Sequence, residues 1–149
     1  MINVLCGVIA HLFPTASEHK NKLSKYSSHE NDVDYTGITF PVTLNQIDKI
    51  EKLNEINFNI FTLDDEEKYV LPLYIFNNKY DKICDMLSIR KVIDKTIKSH
   101  YVLITNLSKL LHNQDKTHKK VCYCRRCLQH FYTIEKLNEI DGAVEFSDK

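Results

Sequence analysis

Three cysteines crowd into Val121-Cys122-Tyr123-Cys124-Arg125-Arg126-Cys127-Leu128-Gln129-His130-Phe131, where the chain carries its sharpest chemistry. A Cys-x-x-Cys turn lets two thiolates, here Cys124 and Cys127, reach one tetrahedral ion. Zinc holds such thiolates at neutral pH because the metal lowers their pKa. Cys122 lies two residues before Cys124, so on a strand both side chains point to the same side. The expected ligand set is Cys122, Cys124, Cys127 and His130, with His112 and His118 as further nearby candidates. The competing reading is a knuckle without metal, its thiols free.

Spacing beyond the knuckle adds to this. Phe131 follows Cys127 by four residues, and Leu137 follows Phe131 by six. These are the intervals of a Cys2His2 finger, in which an aromatic and then a helical Leu form a small core. The His expected three residues after Leu137 is Ile140, and no His follows. The first half of a finger is present without its second. Arg125 and Arg126 at the knuckle tip, and Lys116, Lys119 and Lys120 leading into it, suit weak, salt-dependent phosphate contact. Solubilising the loop and tip is the plainer use. Tyr123 and Tyr132 can stack on bases or fill a small core.

A catalytic constellation is also open. Cys6 on an apolar N-terminal helix, His100 opening a strand and Asn106 resemble, in that order, the nucleophile, base and orienting residue of papain-like cysteine peptidases. Against it, Cys6 lies in an apolar run, where a buried, inert thiol is the usual outcome. No upstream oxyanion donor is evident. A relict core without activity is the alternative. His11 reads as a core histidine, Cys84 carries no message, and Asp64-Asp65-Glu66-Glu67 reads as a solvated turn.

The chain has 149 residues, 43% of them apolar, enough for one core with a small appendage. Twenty basic residues balance twenty acidic ones, so the whole is no polycation. Ser28 to Glu67 holds ten acidic residues and two lysines, whereas Leu107 to Lys136 holds seven basic residues and two acidic. The basic stretch is therefore the one with the cysteines. No apolar run approaches the ~20 residues of a membrane span, and Ile2 to Phe13 reads poorly as a signal peptide. Five cysteines, an odd number, suit a reducing compartment better than a disulfide framework. An intracellular location, nuclear or cytoplasmic, is expected.

These residues need elements to position them. Ile2 to Leu12 and Ala16 to Tyr26 suggest helices. Phe40-Pro41 breaks the chain, and Thr43 can cap a helix reaching about Asn54, with Leu44, Ile47, Ile50 and Leu53 as its buried stripe. Asn57 to Leu63 reads as a strand buried on at least one face. Tyr69 to Phe76 is β-rich, and Pro72 demotes it to an edge or bulged strand. Ile83 to Ile89 suits strand or helix, Tyr101 to Thr105 a strand, Asn106 to Leu111 a short helix and Phe131 to Ile140 a helix. The hexapeptide Glu-Lys-Leu-Asn-Glu-Ile at 51–56 and 135–140 is not a repeat architecture, since its flanks differ. The expected fold is α+β. A mixed or antiparallel sheet with N-terminal helices fills residues 1–111, and residues 112–149 form a basic, Cys-rich half-finger with an acidic tail.

Several blocks, in order, resemble one family. They are Phe40-Pro41-Val42, Ile50-Glu51-Lys52-Leu53-Asn54, Asn59-Ile60-Phe61, Pro72-Leu73-Tyr74-Ile75, His100-Tyr101-Val102-Leu103-Ile104 with Leu107-Ser108-Lys109-Leu110-Leu111, and Cys124-x-x-Cys127-Leu128-x-x-Phe131. Together they resemble the region upstream of the exonuclease domain in Polinton/Maverick-type frames, which encode protein-primed family B DNA polymerases. The exonuclease and polymerase motifs do not follow here. The resemblance implies a detached, non-catalytic module of a mobile-element protein, and the charge asymmetry and half-finger point to weak, salt-dependent association with DNA or other nucleic acid. The rival expectation is a module that docks on replication proteins. No membrane partner is expected.

Overall fold

Residues Ile56 to Phe61 are buried without interruption, as a strand must be when both faces of its sheet are covered. They open β1 (Ile56–Leu63), the second strand of a four-stranded sheet. β2 (Val70–Ile75), β3 (Lys82–Ile93) and β4 (Thr96–Leu103) complete the order β2-β1-β3-β4. β1 runs antiparallel to β2 and parallel to β3, and β3 runs antiparallel to β4. This computed structural model describes residues 32–64, 66, 68–77, 79–115 and 121–141. The two expected N-terminal helices lie outside the described residues.

The alternation along β1 sends Phe58 and Ile60 to one face and Phe61 and Leu63 to the other. On the first face, Ile47 and Ile50 of α1 (Ile47–Asn54) pack with Phe58, Ile60, Cys84 and Met86. On the second, Leu107 and Leu111 of α2 (Leu107–Asp115) pack with Phe61, Val70 and Tyr123. The expected α+β class with a mixed sheet is present, as three layers. The anticipated division at residue 111 falls inside α2, and Tyr123 beyond it belongs to the sheet's core.

Local rules place the elements. Gln46 accepts the Thr43 N–H through its side chain at 3.1 Å, half of a capping box that opens a 3-10 turn, Leu44–Gln46, ahead of α1. The Phe40-Pro41 peptide is cis. Pro72 sits in edge strand β2, where the register slips between Ile60 and Phe61; proline is tolerated at such positions. β2 pairs no further than Ile75 opposite Asn59, leaving Phe58 N–H beyond its ladder. The buried Glu51 of α1 takes that N–H at 2.7 Å and the Tyr74 hydroxyl at 2.9 Å, joining helix, central strand and edge strand. Among the described residues, no helix is long and apolar enough to cross a membrane.

Candidate functional site: the cysteine knuckle

After α2 the chain forms a two-stranded hairpin, β5 (Cys122–Tyr123) and β6 (His130–Phe131), and then α3 (Ile134–Asp141). Phe131 lies in β6 and not at the start of the helix, because Thr133 opens α3 by accepting the Lys136 N–H on its hydroxyl at 3.3 Å.

The knuckle turns tightly. Cys124 N–H donates to Gln129 O at 3.0 Å, and Leu128 N–H donates to Cys124 O at 2.8 Å. Arg126 N–H points at Cys124 Sγ, 3.4 Å away. Leu128 takes a left-handed φ of 59°, which closes the turn after Cys127. Cys124 is buried and Cys127 exposed.

The hairpin's pleat separates the other two expected ligands. Tyr123 pairs with His130 and Cys122 with Phe131, so His130 shares a face with Tyr123 while Cys122 projects from the opposite one. The His130 ring meets Tyr123 and Tyr132 edge-on, with centroids 6.3 and 5.6 Å apart. Among the described residues, no three His, Cys, Asp or Glu side chains are grouped to hold a metal ion. His112 is exposed on α2; His118 lies outside the described residues.

The two tip arginines turn back onto the sheet. Arg125 Nε donates to Asp85 Oδ2 at 3.0 Å, and Asp85 Oδ1 accepts from Asn59 Nδ2 at 2.8 Å. With Arg125 29% and Asp85 10% exposed, this ion pair is largely withdrawn from water. It bolts the knuckle to the two central strands. Arg126 is exposed and lies 5.9 Å from the centroid of the Phe76 ring, a cation–π distance. Lys116, Lys119 and Lys120 lie outside the described residues.

Of the catalytic candidates, Cys6 lies outside the described residues and His100 is exposed in β4. Asn106 is occupied locally: its Oδ1 accepts the Lys109 N–H at 2.8 Å and caps α2. Burial, with the neighbouring Asp85 charge, pushes the Cys84 thiol well above its ordinary range, so it is no nucleophile. Asp64 accepts the Lys68 and Tyr69 N–H groups at 2.6 and 3.0 Å and holds the turn before β2. The Arg125–Asp85 bolt escapes sequence reasoning, since nothing local ties residue 85 to residue 125. The chain matches no family model, no curated protein and no solved structure, and its function has to be read from these side chains.

Proposed function

We propose that the chain is a non-catalytic nucleic-acid-binding module in which zinc braces the Cys124–Cys127 turn. It derives from the upstream region of a Polinton/Maverick-type polymerase frame. The observation that supports it best is the turn itself, with its N–H directed at Cys124 Sγ, its left-handed Leu128 and the hairpin and helix that follow. Cys124 and Cys127 supply two thiolates. The remaining ligands come from Cys122, His130, His112 or His118, and recruiting either Cys122 or His130 requires the hairpin to adjust. With Arg125 committed to Asp85, phosphate contact falls to Arg126, Lys116, Lys119 and Lys120.

Zinc stoichiometry by elemental analysis of protein purified under reducing conditions tests the metal. About one zinc per chain is expected, lost in a Cys124→Ser/Cys127→Ser variant; a wild type without zinc overturns it. DNA affinity at low salt tests the surface. Replacing Lys116, Lys119, Lys120 and Arg126 by Ala should weaken it, and an unchanged affinity removes the assignment. A second reading, docking on a replication protein, is favoured by Tyr132 and Ile134, exposed side by side with the knuckle at 59% and 54%. It predicts pull-down of a protein partner that a Tyr132→Ala/Ile134→Ala variant no longer retains.

A further inference from the structure

The pairing of β1 with β3 ends at Thr62 opposite Ser88, yet β3 and β4 stay paired with each other to Ile93 opposite Thr96. Beyond Ser88 the sheet thus narrows to a two-stranded ribbon, and residues 90–100 are exposed throughout. Its turn, Asp94-Lys95, has φ of 50° and 62°, the left-handed pair of a tight two-residue hairpin. We propose that this ribbon is a duplex-DNA-binding arm, in which Lys91 and Lys98 oppose one another on one face and Arg90, Val92 and Ile97 line the other.

The ribbon is poorly built for stability alone. Lys91 stands directly opposite Lys98, a like-charge pair that weakens a ladder. Val92 and Ile97, also opposite, are 74% and 68% exposed, where a structural hairpin would cover them. An uncovered two-stranded ribbon is marginal in water. What it offers is charge and shape. Arg90, Lys91, Lys95 and Lys98 outnumber the ribbon's single acid, Asp94, in a chain whose total charge is zero. A polyanion complements that set.

Shape selects the polyanion. The major groove of B-form DNA admits a two-stranded ribbon, whereas the deep, narrow major groove of A-form RNA does not. The face carrying Arg90, Val92, Ile97 and Ser99 has the chemistry that base edges accept. Guanidinium suits guanine, apolar groups suit the thymine methyl, and hydroxyl suits either. The lysines reach the flanking phosphates. The arm goes beyond the knuckle proposed above and uses a separate surface. Asp85, where the knuckle is bolted, and Val92 are roughly 23 Å apart along β3 at ~3.3 Å per residue.

Fluorescence anisotropy of the full chain tests this with duplex DNA, single-stranded DNA and double-stranded RNA of one sequence, over about 50 to 200 mM salt. Duplex DNA should bind tightest, with log K falling against log salt at a slope of about −3 to −4, as three or four neutralised phosphates require. Lys91→Glu/Lys98→Glu should lower affinity at least tenfold and flatten the slope by about 2. Val92→Ser/Ile97→Ser should lower duplex affinity while leaving the slope unchanged. Lys109→Glu, on α2, is the control and should change nothing. All these positions are exposed, and an unchanged thermal melt certifies each variant. Preference for RNA or single strands, no duplex binding at the lowest salt, or arm variants that bind like the wild type overturn the proposal. Knuckle and arm fail separately. Binding lost in Cys124→Ser/Cys127→Ser but intact in the arm variants sinks the arm; the reverse supports the arm and sinks the knuckle's role in DNA contact.

Discussion

The two faces of the sheet are both closed around a buried carboxylate, but the two acids are satisfied differently. On the α1 face, Glu51 accepts a backbone N–H from Phe58 and a hydroxyl from Tyr74. On the other face, Asp85 accepts the Asn59 amide and the Arg125 guanidinium. The first acid replaces a ladder hydrogen bond that a short edge strand fails to supply. The second anchors a separate supersecondary unit by charge. The difference teaches that the helical face is an integral core, whereas the knuckle face is a joint. A joint made by an ion pair that keeps some contact with water weakens modestly with salt, and one made by neutral donors less so.

The broadest test truncates the aromatic on each face. Phe58 and Phe61 are both fully buried, so Phe58→Ala and Phe61→Ala should each cost about 3–5 kcal/mol in urea unfolding. A far smaller loss for Phe61→Ala would break the comparison, because it would mean that the knuckle and α2 do not cover that face. The acids come next. Glu51→Ala leaves the Phe58 N–H and Tyr74 hydroxyl without their carboxylate and should cost about 3 kcal/mol. Asp85→Ala should cost about 2 kcal/mol, less because Arg125 keeps some water. The Asp85 effect should shrink more as salt is raised; equal shrinkage at both sites would erase the distinction.

Tyr74 sharpens the comparison through pH. Burial, then its hydrogen bond to Glu51, raises its phenol above the ordinary value. The folded chain therefore holds this proton more tightly than the unfolded one. That contribution is complete below about pH 10 and is lost as pH climbs above it. Alkaline unfolding should be steeper in the wild type than in Tyr74→Phe, with the remaining slope including Tyr101, whose phenol is also raised by burial. The smallest effect is at the end of α1, where Glu55 has a left-handed φ of 53°. Glu55→Gly should stabilise by about 0.5–1 kcal/mol in the same unfolding assay, since glycine enters that region freely.

Local chemistry was the legible part of this sequence. Thr43 as a helix start, a strand over residues 57–63 and Pro72 on an edge with a bulge all follow from rules that act within a few residues. A helix after the knuckle is legible too, although it opens at Ile134 and not at Phe131. The outer hairpin was not legible. Residues 90–98 carry no hydrophobic period, because both faces of the ribbon are exposed. From spacing alone Arg125 reads as a tip residue, since its partner is 40 positions away and becomes visible only when β3 and the knuckle meet. The pleat that sets Cys122 and His130 on opposite sides depends on hairpin register, which spacing alone does not fix.

The sheet's order carries a consequence for how the chain finds its structure. Two of its three pairings are hairpins, closed across short turns, and such units form in microseconds. The third, β1 beside β3, is parallel and joins residues 26 apart, so it carries the larger loop-closure entropy. The two hairpins should therefore form first, with closure of the seam between them setting the folding rate. Asn59 and Asp85, which face each other across that seam, are the residues whose loss should slow folding. Changes out on the ribbon should leave the folding rate nearly untouched.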